Sequence, residues 1–224
     1  MKTTEIKSSA QESSPAETRE RVLDAAEQLF AQYGVEAVSI RDITRAAKVN
    51  LAAINYHFGT KQSLMAAVFN RWLGPLNERR LELLDALEQK ADGKPIKPEA
   101  ILEALIRPAV EQGFEAKPGH KFFLQLIGRC LGVANAEIEP LIRAQFDRLL
   151  QRFNAALLRP LPKLSEEELF WRMKFIFGAL HHTLLTCGKT NCMPAKMRKH
   201  LNAEELIRRL IAFSAAVLKT GLAK

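Results

Sequence analysis

Between Ser39 and Lys61 the chain gathers two asparagines, one tyrosine, one histidine and several cations around the adjacent alanines Ala52 and Ala53. The Asn55 amide can donate and accept hydrogen bonds side by side, and Tyr56 and His57 carry donors on flat rings. Arg41, Arg45, Lys48 and Lys61 bring positive charge close to them. The stretch holds no paired carboxylates, no nucleophile beside a base and no set of metal-ligand spacing. Its chemistry is recognition of an anionic, hydrogen-bonding surface.

Those residues need elements to hold them. Ser39 is a good N-cap, and Asp42 can reach back to the Ser39 amide in a capping box, so a helix starts there. Ile40, Ile43 and Ala47 fall on one face of it. Val49-Asn50 closes a tight turn, and Asn50 can cap a second helix. In that helix the spacing points Leu51, Ile54 and Phe58 inward and leaves Ala52, Ala53, Asn55, Tyr56 and His57 outside. Gly59 is placed to stop it. Two helices this short cannot bury enough surface alone. They form a helix-turn-helix unit whose natural use is to present its second helix to the DNA major groove.

The support precedes it. From residue 16 to Tyr33, Val22, Leu23, Ala26, Leu29, Phe30 and Tyr33 repeat with helical period, and Gly34 suits a C-cap. Residues 1–15 read as a disordered tail, 16–61 as a DNA-binding domain and 62–224 as a helical effector-binding and dimerisation domain. Thr60 caps a long helix from Lys61 to about Gln89, interrupted by Gly74-Pro75, where a kink is expected. Ala91 to Pro98 is a loop by its turn residues. Further helices follow over 98–113, 119–133, 136–158, 166–187 and 203–219, with a basic loop from Gly188 to Leu201. No convincing strand occurs, so the fold class is all-α.

Helix 166–187 is apolar on two sides. Phe170, Met173, Ile176, Phe177, Leu180 and Leu184 make one face, and Trp171, Phe175, Ala179, His182 and Leu185 another. A helix apolar nearly all round must be covered all round. With 203–219 it is read as half of a four-helix homodimer interface.

A formal net charge of +8 favours an anionic partner, although residues 1–60 hold seven Lys/Arg against eight Asp/Glu. The useful cations are therefore local. No apolar run approaches membrane-span length and the first residues show no signal-peptide core, so a cytoplasmic protein with no membrane contact is expected. Three widely spaced cysteines, Cys130, Cys187 and Cys192, argue against a disulfide scaffold. A zinc or redox site at Cys187, Cys192, His181 and His182 is disfavoured, because adjacent helical residues diverge by about 100°. No cofactor, no metal site and no enzymatic activity are expected.

The ordered run Arg19 to Phe30, then Gly34, Ser39-Ile-Arg-Asp-Ile43, Ala46-Ala-Lys-Val-Asn50 and Tyr56-His-Phe-Gly-Thr-Lys61 resembles the N-terminal domain of TetR-family transcriptional regulators. The likeness spans residues 17–65. Where that pattern often has a second aromatic, this chain has Asn55. The resemblance and the helical geometry together put Ala52, Ala53 and Asn55 at base edges. They put Tyr56, His57, Lys61, Ser39, Arg41 and Thr44 at phosphates of a double-stranded operator. Leu51 to Gly59, Leu73-Gly-Pro75 and Glu168 to Arg172 are similar to PsrA-like regulators, which implies a fatty-acid-like effector.

An effector needs a pocket among helices 98–187. Phe122, Phe123, Leu126, Cys130, Phe146, Trp171, Phe175, His181 and His182 are the candidate lining, and together they suit an apolar small molecule. Arg129 and His181 are the groups placed to meet an acid or acyl head. The competing readings are a regulator of an efflux or stress operon answering an aromatic or cationic drug-like ligand, and, more remotely, a helical interaction protein that does not bind DNA.

Overall fold

The computed structural model describes residues 14–114, 120–132, 137–187, 194 and 202–221. Among these every regular element is an α-helix: α1 (Pro15–Tyr33), α2 (Ile40–Ala47), α3 (Leu51–His57), α4 (Lys61–Ala91), α5 (Pro98–Phe114), α6 (His120–Gly132), α7 (Glu139–Leu158), α8 (Glu166–Cys187) and α9 (Ala203–Lys219). The basic loop expected over 188–201 lies outside the described residues apart from Pro194, as do the side chains of Arg129, Cys187 and Cys192.

Helix α1 starts one residue before the expected residue 16. Ser14 caps α1, its hydroxyl accepting from the Glu17 amide while the Glu17 carboxylate accepts from the Ser14 amide, and Pro15 occupies the first turn. Proline is at home there because the first amides of a helix lack partners anyway. Ser39 and Asp42 form a second such box at α2, and Asn50, Thr60 and Asn202 cap α3, α4 and α9. Lys48, rather than the Val49-Asn50 pair, makes the left-handed turn residue, at φ 54°.

Helices α1, α2 and α3 close around Val22, Leu23, Ala26, Phe30, Ile43 and Ile54, and α4 adds Leu64, Met65, Val68 and Phe69. Leu51 departs from expectation: it stands on the surface at 50% exposure. Only Ile54 and Phe58 face inward from so short a helix, and Val49, in the turn before it, packs against the core in its place.

Helix α4 extends about 45 Å at 1.5 Å per residue, unbroken as a helical element through Pro75. Leu64, Met65, Val68 and Phe69 of its first half are buried, and from its middle Asn77 donates to the Gln145 carbonyl of α7 and Arg80 to the Leu105 carbonyl of α5. The largest interface of the distal part joins α5 to α9, and α6 crosses back onto α1. Helix α8 packs against α6, α9, α5 and α7. Its close approach depends on glycines: a methyl at Gly113 would come within 2.8 Å of the Leu184 side chain, and one at Gly128 within 3.0 Å of Leu185. Arg172 is buried and fastens α8 to α9, donating to the Glu168 carboxylate at 2.6 Å and to the carbonyls of Val217 and Leu218.

Candidate nucleic-acid interface

Helix α3 is held from both ends and from behind. The Asn50 side chain accepts from the Ala53 amide at 2.9 Å, which fixes its start. Ile54 is fully buried beneath it, and Phe58 anchors its end under the guanidinium of Arg19, 5.6 Å from the ring centre. What remains outward is Leu51, Ala52, Asn55 and Tyr56, the last 81% exposed. Ala53 is half-buried. His57 is also half-buried and meets Tyr56 edge to face, with ring centres 5.0 Å apart. Tyr56 and Asn55 therefore present a flat ring and a side-chain amide to solvent on a helix whose other side is packed.

Around this ridge Arg41 is exposed and Lys61 half-buried. Arg45 leans toward Asp42 at 3.6 Å with most of its side chain in solvent. Ser39 and Thr44 are less free than their types suggest. The Ser39 hydroxyl donates to the Asp42 carboxylate at 2.6 Å, and the Thr44 hydroxyl donates to the Arg41 carbonyl at 2.8 Å. Holding a phosphate would require either proton to turn away from its present acceptor. The bonds from Ser39 also hold the Asp42 carboxyl below the usual carboxylate range.

The expected effector lining divides. Phe123, Leu126 and the half-buried Phe122, Cys130, Phe146 and His181 lie inside, but Trp171, Phe175 and His182 do not. Helix α8 buries Leu169, Met173, Ile176 and Leu180, and Trp171, Phe175, Gly178 and His182 recur on its opposite side at helical spacing. Phe170 lies beside them at 56% exposure, not on the buried face, and Lys174 spans the Phe170 and Trp171 rings. His181 and His182 thus part company, as adjacent helical residues must.

The inward aromatics fill one another's space. Phe123 stacks on Trp72 with ring centres 5.6 Å apart, and Phe146 meets Phe177 at 6.3 Å. Grooves open elsewhere, one of about 510 Å³ beside Glu99, Arg208, Ile211, Ala215 and Lys219, another of about 400 Å³ beside Leu29, Tyr33, Asp42 and Arg45. Neither touches the expected lining. Burial pushes the Cys130 thiol up to about 11, with the Glu36 charge adding to the effect, so it stays protonated near neutrality.

Composition and spacing had not singled out the buried polar residues of the α1–α4–α5 spine. Glu27 is 2% exposed, accepts from the Trp72 indole at 2.8 Å and lies 3.7 Å from Arg71, which also pairs with Glu20 and Asp24. Desolvation pushes its carboxyl up to about 7, against the opposing pull of Trp72 and Arg71. Through the Trp72–Phe123 stack it stands where α1, α4 and α6 meet. Arg80 and Asn77 are likewise buried. A signal was available: Glu27 falls one turn after Leu23, and Arg80 sits midway between Leu76 and Leu84, both on inward stripes.

This three-helix head on a long fourth helix matches known proteins. Residues 22–68 match the model described as "Bacterial regulatory proteins, tetR family", and residues 103–216 that described as "Tetracyclin repressor-like, C-terminal domain". The chain belongs to the tetR family. The HTH-type transcriptional regulator AcrR of Shigella flexneri is 35% identical over 80 residues, which cover 36% of this chain and 35% of that protein. The HTH-type transcriptional repressor Rv3405c of Mycobacterium tuberculosis is 49% identical over 49 residues, or 22% of this chain and 26% of that one. The chain thus matches about a third or less of these relatives' length. A TetR-family regulator from Bordetella parapertussis superposes with a TM-score of 0.60 at 17% identity, covering 88% of this chain and 93% of that one. Likeness at that identity carries the all-α TetR architecture and nothing finer. Among the described residues no helix is long and apolar enough to cross a membrane.

Proposed function

We propose that this TetR-family chain is a repressor that binds a palindromic operator as a homodimer and is released by a small apolar effector. One observation carries the first part: a rigid, buried-backed helix that turns Ala52, Asn55 and Tyr56 to solvent in one row. Ala52 and Ala53 would meet thymine methyls, and Asn55 would pair with adenine through its amide. Tyr56, His57, Lys61 and Arg41 would hold phosphates, with Ser39 and Thr44 joining once their hydroxyls turn outward.

The exposed aromatic side of α8 supports the dimer. Phe170, Trp171 and Phe175, with Phe213 of α9, leave an apolar area that a second copy would cover. A twofold pair of reading helices would then meet half-sites about 34 Å apart or a multiple of it. The α5–α8 bundle, lined by Phe122, Leu126, Phe146 and His181, is the proposed effector site. The Gly74-Pro75 step of α4 is the proposed hinge between bundle and reader. An effector can act only by binding one arrangement of the two reading heads better than the other.

A gel shift against the DNA upstream of the protein's own gene tests the reading. A discrete complex that survives excess random DNA is expected. Binding no tighter to that DNA than to random sequence would leave the operator assignment without support.

A further inference from the structure

Leu51 is the only leucine, isoleucine, valine or methionine among the described residues that is left exposed. The other exposed large apolar residues are aromatic, and four of them, Phe170, Trp171, Phe175 and Phe213, belong to α8 and α9. A single surface leucine is ordinary in a folded protein, so exposure alone assigns nothing. What marks this one is its place. It stands at 50% exposure on α3, beside Ala52 and one turn before Asn55 on the same side of the helix.

Its neighbours hold it there. The Asn50 side chain accepts from the Ala53 amide at 2.9 Å, Ile54 is fully buried and fixes the rotation of α3, and Val49 packs against the core from the turn before it. Ala53, outward by its spacing, is half-buried. The exposed apolar pair of the reading row is therefore Leu51 and Ala52. The base edges in the major groove carry hydrogen-bonding groups, and the one methyl they offer is that on thymine C5. A leucine set against a donor or acceptor there strips its water and returns no hydrogen bond. Set against the methyl, it buries apolar surface on both partners.

We propose that Leu51 is a specificity-determining residue that reads the C5 methyl group of a thymine. This rests on the reading of α3 as the operator-reading helix and deepens it. From Leu51 to Asn55 the helix rises about 6 Å, or roughly one to two base-pair steps of about 3.4 Å. The thymine therefore lies that far from the adenine assigned to Asn55. Leucine carries three carbons beyond Cβ and covers a methyl more fully than alanine does. The same contact that favours thymine disfavours the polar edges of the other bases. What is read is the methyl itself, so deoxyuridine, which pairs as thymidine does and lacks only that carbon, counts as a wrong base at this place.

The test uses the DNA upstream of the protein's own gene, amplified once with dTTP and once with dUTP, and titrated with the full chain by fluorescence anisotropy. Burying one methyl is worth about fourfold in affinity, so Leu51 should contribute about fourfold per half-site, or about fifteenfold through the two half-sites of a dimer, to the preference for thymine DNA. Leu51→Ala and Leu51→Gln should each lower the preference by that factor, losing affinity for thymine DNA while binding deoxyuridine DNA and random-sequence DNA as the wild type does. Uracil also changes how the duplex bends, and Ala52 loses its own methyl contact. Both effects are common to the proteins compared and cancel in the ratio of their preferences. Leu51 is exposed, so neither variant opens the core, and either one suffices if the other does not fold. A preference that stays unchanged in a folded variant overturns the assignment to Leu51. Equal binding of thymine and deoxyuridine DNA by the wild type overturns methyl reading and spares the operator. Thymine DNA bound no tighter than random sequence overturns the operator reading beneath it.

Discussion

At the scale of single residues, the outward row of α3 separates two kinds of contact that mutation can tell apart. Asn55 is exposed, and in the proposed complex it reads a base. Asn55→Ala should therefore lower discrimination at one base pair by about 1–3 kcal/mol while sparing affinity for random DNA. An unchanged ratio of operator to random binding would remove Asn55 from the base edges. Lys61 starts α4 beside that row and would pair with a phosphate. Lys61→Ala should weaken binding to every sequence and lower the slope of log K against log salt by about one ion. Filter binding over a salt series reads both. Ser39 and Thr44 are the weakest of the proposed phosphate contacts, because their protons are already given to Asp42 and to the Arg41 carbonyl.

At the scale of elements, two joints decide how the helices act together. The first is where Glu27 of α1, Trp72 of α4 and Phe123 of α6 meet. The Glu27 carboxyl rises to about 7 from an ordinary 4.5, so folding favours its protonated form. Its contribution is fully present below about pH 4.5, shrinks as pH rises, and is lost once the pH passes about 7. Glu27→Gln keeps an acceptor for the indole and removes the titration. Thermal unfolding of both proteins from pH 5 to 8 should show the wild type losing stability relative to the variant as pH rises, by on the order of 3 kcal/mol. A flat difference would mean that Glu27 does not titrate in this range. The second joint is the outer face of α8. Phe175 is 60% exposed, so Phe175→Glu should leave the fold intact yet place a charge in the proposed twofold interface. Light scattering should then show a monomer where the wild type is a dimer, with operator affinity falling as well. A dimer that persists would move the interface elsewhere.

At the scale of the whole molecule, the sequence by itself determined most of what is local. Helical period, capping residues and turn glycines set the all-α class and most helix boundaries to within a few residues. They also set the order Ser39-cap, turn, Asn50-cap that makes the reader, because caps and periodicity act over three or four residues and need no distant partner. Even there the start of α1 falls one residue before its expected place, since Ser14 and Glu17 form a capping box that polar composition hides. What only the tertiary structure decided is which side of each apolar helix is covered. Helix α8 is apolar nearly all round, so its pattern alone could not say that Met173, Ile176 and Leu180 face α5, α6, α7 and α9 while Trp171 and Phe175 face out. Leu51 turns outward for a related reason: a seven-residue helix has one buried edge, which Ile54 occupies, and Val49 packs against the core from the turn before it. Glu27 and Arg80 lie on inward stripes beside apolar neighbours, but their meaning came from partners 45 and 25 residues away, the indole of Trp72 and the carbonyl of Leu105. Burial is a property of what lies opposite, and for a charged residue so is the question of whether its charge is answered.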